Sequence, residues 1–317
     1  MVRDIILIGN PIAGGNAMKK IEKSVKIIKD RGFNVRLMLT GKKGDAELFA
    51  RQISRNQSQN PTPPQPPLGK GVLIIAAGGD GTYNEVINGI ACTDIPMAIL
   101  SLGTTNVLAR ELNIPEDIDK ALDIALSGRI QTVCLGRITL IQNIPPHPPL
   151  TKEGAEGGRY FCLMAGIGYD GETVYGVSNK IKKYSGKGAY IWSGLKTLLS
   201  WNPGKLTFNI DGKLCEGYSA IVCNASKYAG NFKVAPDASL RDPFLYAFIM
   251  HGRRRLDIIR YVSGILTKRH LWSRDITYQQ AEKIEIKGNA HIQIDGDYLG
   301  RTPAKIEVVP DALRLVY

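Results

Sequence analysis

At 317 residues the chain is long enough for two domains with their own cores, and its 44% hydrophobic and 22% charged content is that of a globular protein, not a disordered or fibrous one. A formal net charge of +12 fits an anionic partner: nucleic acid, a nucleotide phosphate or an anionic membrane surface. Five cysteines without CxxC spacing and four histidines without an HExxH pattern argue against a disulfide framework and a zinc site, and no apolar run is long enough for a secretory segment or a bilayer-spanning helix.

Taken in chain order, the first third alternates strand and helix patterns. Residues 4–11 (DIILIGNP) read as a buried strand ending in a turn. Residues 17–32 place Ile21, Val25 and Ile28 on one helical face, with Gly32 as the stop. Strands are predicted at 33–40, 72–77 and 96–102, and helices at 44–54, 83–90, 104–112 and 117–127. Such alternation predicts a parallel sheet covered by helices on both faces. Beyond about residue 130 the segments turn short and β-rich: 159–168, 205–212, 218–226, 244–250, 282–288, 290–297 and 304–310. Their Gly, Asn and Asp breaks predict an antiparallel sandwich or barrel-like domain. One basic, helix-like stretch interrupts it at 253–270. Two proline-rich segments, 61–72 and 144–155, share the pattern PPxPPLxK and suit neither sheet nor helix, so they read as surface insertions. The expected division is 1–130, α/β; 131–303, β-rich; with 304–317 packing back onto the first domain and insertions at 56–70 and 143–158.

The chemistry concentrates where predicted strands meet predicted helices. After the strand 72–77 comes Gly78-Gly79-Asp80-Gly81-Thr82. A glycine turn opening a helix suits an anion, because backbone N–H groups point outward and the helix dipole favours phosphate. Thr82 is placed to cap that helix and to donate to a phosphate oxygen. Asp80 beside a phosphate needs an intervening cation or an orienting role, and Mg²⁺ shared between carboxylate and phosphate meets that need. The first strand ends in a second glycine turn, 10–16 (NPIAGGN), and the strand 96–102 in a third, 103–106 (GTTN). In a parallel sheet all three lie at the carboxyl ends of strands, where ligands bind. The stretch 166–171 (GIGYDG) fits GxGxxG, but no acidic residue stands between Glu172 and Asp211, so a dinucleotide reading is set aside.

The run GGDGTYNEVING (78–89), followed by GTTNVLAR (103–110), resembles the diacylglycerol kinase catalytic family, and most of all its bacterial lipid kinase branch. The leading NPxxG, Thr40 with 44–46 (GDA), 166–170 (GIGYD), 230–242 (GNFKVAPDASLRD) and 295–297 (DGD) fit in order. The resemblance implies an ATP-dependent lipid kinase with a fold like NAD kinase and phosphofructokinase in its first domain and a β-rich sandwich in its second. It implies nucleotide binding by Asn10, Pro11, Gly14, Thr40, Gly78, Gly79, Asp80, Gly81, Thr82, Asn84, Glu85, Gly103, Thr104 and Asn106. It makes Asp170 a carboxylate of the substrate cleft between the domains. The family's DGE motif reads Asp295-Gly296-Asp297 here, one methylene shorter, and either carboxylate is a candidate to take the hydroxyl proton. A structural Mg²⁺ is implied at Asp242, with Ser239 and Phe244 offering carbonyls, although Pro243 replaces the family's glycine.

The expected reaction is phosphorylation of a lipid alcohol, diacylglycerol first, with ATP and Mg²⁺. A cytoplasmic protein touching the inner face of a membrane is the expected setting, with anionic headgroups as partners, no nucleic acid, and a homodimer compatible with the sequence. The alternatives are a soluble-substrate kinase of the NAD kinase type and a non-catalytic nucleotide- or lipid-binding protein.

Overall fold

The structure, a computed structural model, describes residues 4–59, 71–141, 158–177 and 187–317, with the side chains of 58–59 and 187–191 left aside. The proline-rich stretches 61–70 and 144–155 lie outside the described residues. The chain divides into two compact units, residues 1–133 with 311–317, and residues 134–310.

The first unit is a parallel sheet flanked by helices. Its strands are β1 (Asp4–Gly9), β2 (Asn34–Leu39), β3 (Val72–Gly78), β4 (Pro96–Ser101) and the end of the last strand, β18 (Ala304–Val316), in the order β2-β1-β3-β4-β18. Every neighbouring pair is parallel, with Ile5 opposite Val35 and Leu73, Ile75 opposite Ala98, and Leu315 opposite Met97. β1 and β3 are nearly continuous apolar runs because helices cover both faces. The helices are α1 (Ala17–Asp30), α2 (Asp45–Gln59), α3 (Asp80–Ile90), α4 (Val107–Glu111) and α5 (Ile118–Ser127). α1 buries Ala17, Ile21, Ser24 and Ile28 at helical spacing, while Val25 stays half-buried at the rim. α2 runs on to Gln59, so residues 56–59 belong to a helix and not to the insertion expected from 56 onward.

The second unit is a β-sandwich. One sheet is antiparallel, in the order β14 (Ile276–Ala281), β13 (Leu245–Met250), β10 (Ser219–Cys223), β7 (Met164–Ile167), β16 (His291–Ile294), β17 (Asp297–Arg301). The other contains β9 (Lys213–Gly217), β8 (Leu206–Ile210), β15 (Lys283–Lys287) and the first half of β18, with β5 (Ile130–Leu140) beside β18 and β6 (Arg159–Phe161) beside β5. A short hairpin, β11 (Lys227–Tyr228) and β12 (Phe232–Lys233), stands apart. Ile167, Ala220, Leu245, Ala247 and Ile292 from one sheet meet Phe208, Ile284, Ile286 and Ile306 from the other in one buried cluster. Among the described residues, three helices decorate the sandwich: α6 (Tyr169–Tyr175), α7 (Lys187–Ser200) and α8 (Arg255–Leu266), the last followed by a 3₁₀ turn, His270–Trp272. The sequence pattern anticipates only α8. α6 is hidden because the glycine-rich 166–171 reads as a turn, and α7 because its apolar residues lack a single clean stripe.

Candidate active site

In the first unit the strand order reverses between β1 and β3, which makes their carboxyl ends a switch point where α/β folds bind ligands. Asn10, Pro11 and Gly14 follow β1; Gly78 to Thr82 end β3 and open α3; Gly103, Thr104 and Asn106 follow β4. Hydrogen bonds stitch these turns together. Asn10 N donates to Ala77 O at 2.9 Å, and its side-chain Nδ2 donates to Thr82 Oγ1 at 3.3 Å. Leu102 N and Gly103 N both donate to Gly78 O, at 2.8 and 3.0 Å. The Tyr83 hydroxyl donates to Gly78 O at 2.8 Å from below. Thr40 N donates to Gly9 O at 2.9 Å, which holds the end of β2 at the same edge.

The glycines are demanded by contact. A Cβ on Gly103 would stand 2.8 Å from Gly79 Cα, and one on Gly14 would run into Leu102 O. Only bare backbone lets the second and third turns touch. α3 starts at Asp80 and not at 83, so Asp80, Gly81 and Thr82 form its first turn. Gly79 is its N-cap and no side chain caps it. Thr82 is therefore no cap: it lies inside the turn, with its hydroxyl oxygen bonded by Asn10. The helix N-terminus at the switch point stays open to an anion.

Two carboxylates of this motif are structural ties. Asp80 Oδ2 accepts from Val107 N at 3.0 Å and Oδ1 from Leu108 N at 3.1 Å, so Asp80 caps α4 from a neighbouring helix. Burial pushes its carboxyl up, against the pull of those two amides. Glu85 does the same for α2, accepting from Gly44 N at 2.9 Å and Ala46 N at 3.2 Å. Asn84 is buried one turn before Asn88, whose Nδ2 donates to Asn84 O and Oδ1. Asn106, in left-handed backbone at φ 47°, donates from Nδ2 to Gly103 O at 2.7 Å, while its buried Oδ1 has no partner among the described residues. An unpartnered acceptor at Asn106 and an uncapped helix N-terminus at Gly79 fit a bound nucleotide.

In the second unit, Asp295 and Gly296 form the turn between β16 and β17, at φ 47° and φ 86°, and Asp297 opens β17. The Asp295 carboxylate accepts three backbone N–H groups: Cys162 at 2.8 Å, Leu163 at 2.9 Å and Met164 at 3.0 Å. Gln293 Oε1 accepts from Gly296 N at 2.7 Å, and Gln293 Nε2 donates to Asp170 Oδ2 at 2.6 Å. Asp170, at the start of α6, is buried, and the Tyr228 hydroxyl donates to its other oxygen. Burial raises the Asp170 carboxyl, and the two donors oppose that shift. Gly166 must be glycine here because a Cβ would occupy the place of the Asp170 carboxylate.

Two residues of the expected structural Mg²⁺ site, Asp242 and Ser239, share one local turn. Asp242 Oδ2 accepts from Ser239 N at 3.2 Å and Asp242 N donates to Ser239 O at 3.0 Å, a closed local turn. Among the described residues no three His, Cys, Asp or Glu side chains converge on a point. The expected donors, the Asp242 carboxylate with the Ser239 and Phe244 carbonyls, are oxygens of the kind a hard cation takes, and Asp242 is engaged by its own turn.

The comparisons with known proteins agree with this architecture. Residues 4–138 match the diacylglycerol kinase catalytic domain, and residues 164–317 match the YegS C-terminal NAD kinase beta sandwich-like domain. A Bacillus subtilis protein named diacylglycerol kinase is 30% identical over 307 residues, 94% of this chain and 91% of its own. A Staphylococcus carnosus protein of the same name is 26% identical, over 94% of this chain and 90% of its own. The chain belongs to the diacylglycerol kinase family. A solved Bacillus anthracis str. Sterne chain shares the fold at a TM-score of 0.74, with 22% identity over 99% of this chain and 95% of its own.

This diacylglycerol kinase family member is thus a kinase, a transferase that needs a phosphoryl donor, and its family supports action on lipid. Among its described residues no helix is long and apolar enough to cross a membrane. Two residues of the kinase escape sequence reading. Gln293 carries a faint signal, a polar residue between isoleucines in a strand that leads to the DGD turn. Tyr228 carries none, since only folding brings it to Asp170.

Proposed function

We propose that the protein transfers the γ-phosphoryl group of ATP to the hydroxyl of a lipid alcohol, diacylglycerol first among them, at the inner face of a membrane. The single observation behind this reading is the meeting of three glycine turns at the β1/β3 switch point beside an uncapped helix N-terminus. In this reading the amides of the first turn of α3 hold the phosphates, and Asn10 orients the Thr82 hydroxyl toward them. Asp80 and Glu85 position backbone: they fix α4 and α2 against α3 and so hold the nucleotide loops in place. Magnesium arriving with the nucleotide would neutralise charge on the phosphoryl oxygens.

Asp297 is the proposed base. The Asp295 carboxylate already accepts three amides, which suits it to hold the turn. The lipid hydroxyl oxygen bonds to the γ-phosphorus as the bridging bond to ADP breaks, and the hydroxyl proton passes to the Asp297 carboxylate.

The test is transfer of labelled γ-phosphate from Mg·ATP to a lipid extract and to NAD, with Asp297→Asn and Asp295→Asn beside wild type. A labelled lipid, lost about 100-fold or more in Asp297→Asn with an unchanged melt, supports the reading. Label on NAD instead would transfer the protein to the soluble-substrate kinases. No label anywhere would make it a binder.

A further inference from the structure

The helix α8 is apolar over far more of its surface than the sandwich covers. At about 100° per residue, Ile258, Tyr261 and Ile265 fall on one flank, and Leu256, Ile259, Val262 and Leu266 on the adjoining one. Ile258 and Tyr261 are buried. The second flank is open: Leu256 is 73% exposed, and Ile259, Val262 and Leu266 are exposed with it. Just beyond the helix, Trp272 is 78% exposed, with the Arg269 guanidinium 5.7 Å from its ring centre. An open stripe of this kind, with an exposed indole just past the helix, marks an interaction surface.

Its charge says what it meets. Residues 253–275 hold seven cations and two carboxylates. Both carboxylates, Asp257 and Asp275, are engaged by Arg260. Arg255, at the start of the helix, and Lys268, Arg269 and Arg274, beyond its end, are exposed. Asp257 also accepts from Arg254 N at 2.8 Å, so the helix start is firm and the stripe is presented on a rigid element. A groove of about 330 Å³ beside the helix is lined by Arg260, Arg269, Ser263, Thr267 and Ser273. An exposed apolar flank with cations at both ends of its helix and an exposed indole just beyond has the character of a helix that lies in a bilayer interface.

We propose that α8 and Trp272 form the face by which this protein docks on an anionic bilayer, with Leu256, Ile259, Val262 and Leu266 entering the acyl boundary and the surrounding cations meeting lipid phosphates. The inference rests on the lipid kinase reading, since a lipid acceptor is met at such a surface. α7, which packs beside α8, exposes Trp192, Leu195 and Leu199 and extends the apolar area of the same unit.

The test is co-sedimentation with vesicles of phosphatidylcholine alone and of phosphatidylcholine with an equal share of phosphatidylglycerol. Wild type should favour the anionic vesicles and release them in high salt. Joint reversal of Arg255, Lys268 and Arg274 to Glu should weaken partitioning by about 100-fold or more, at about fivefold per charge lost. Leu256→Asp with Leu266→Asp should weaken it to a similar degree while the thermal melt stays at the wild-type value. Brominated lipid should quench wild-type tryptophan emission more than that of Trp272→Phe.

Vesicle binding unchanged in both multiple variants would overturn the proposal. A change of sedimentation mass in Leu256→Asp with Leu266→Asp, with vesicle binding intact, would overturn it too and assign the face to a second copy of the chain. Phosphorylation of a short-chain, water-soluble lipid alcohol separates the two readings. Vesicle binding without that activity sinks the kinase reading and leaves the docking face standing; activity without vesicle binding does the reverse.

Discussion

Gln293 donates from Nε2 to the buried Asp170 carboxylate at 2.6 Å and, through Oε1, accepts from Gly296 N at 2.7 Å in the Asp295-Gly296-Asp297 turn. The amide side chain is thereby locked in one orientation, because a flip would set donor against donor at Gly296. Asp170 thus acts through Gln293 on the turn that carries the proposed base. Gln293→Leu removes the Oε1 acceptor of Gly296 N–H and the Nε2 donor to Asp170 and should cost about 2–3 kcal/mol of stability. Its kcat should fall with little change in KM for ATP, measured by initial rates beside a urea melt. A fall in stability with kcat unmoved would make Gln293 a structural residue only.

The same carboxylate has a pH signature. Burial raises the Asp170 carboxyl from 3.8 in the folded protein, so the native state holds that proton to a higher pH than the unfolded chain does. Stability contributed by Asp170 is full below 3.8 and declines as pH rises through the elevated value. Asp170→Asn removes the ionisation while keeping an acceptor for Gln293. Its melting temperature should gain on wild type at neutral pH and lose that gain in acid. A constant difference across pH would show that Asp170 does not titrate in this window.

His291 works in the other direction. Burial, with Arg301 adding to it, pushes its imidazole down to about 4 from 6.5. Between those values the unfolded chain binds a proton that the folded protein refuses, so stability is complete above 6.5 and declines as pH falls toward 4. The ring stacks on Tyr175 at 4.4 Å and bonds the Tyr298 hydroxyl at 3.1 Å. His291→Phe should keep the stacking and flatten this acid limb in denaturant midpoints taken across the window.

Asp80→Ala removes the acceptor for Val107 N and Leu108 N and uncaps α4. A loss of about 1–2 kcal/mol is expected in denaturant melts, as for other helix caps. The KM for ATP should rise as well, because Gly103 to Asn106 lead directly into α4. Asp80→Asn keeps one acceptor and should recover part of both effects. Equal stability with lost turnover would instead make Asp80 a group of the reacting centre.

Fold class was legible because its signals are periodic. The continuous apolar runs of β1 and β3 and the Ile21–Ile28 spacing of α1 depend only on neighbours in sequence. The long GGDGTYNEVING run marked the switch point for the same reason: glycines and a helix start stand in one stretch. The sequence pattern puts the start of α3 three residues late, at 83, because a glycine-rich first turn reads as loop.

What the chain order alone determined, then, is an α/β unit with glycine turns at strand ends, a β-rich unit after it, and membership in a kinase family. What only the tertiary structure decided is the division of labour among its carboxylates. Asp80, Asp295 and Asp170 look alike in sequence. Asp80 receives amides 27 and 28 residues away, Asp295 amides more than a hundred residues back, and Asp170 a glutamine 123 residues on. A carboxylate's role is set by which donors and how much water surround it, and both are fixed by contacts between segments that no local pattern encodes. The exposed flank of α8 has the same origin: its spacing marks an apolar helix, and only packing leaves Leu256 and Leu266 uncovered while it buries Ile258 and Tyr261.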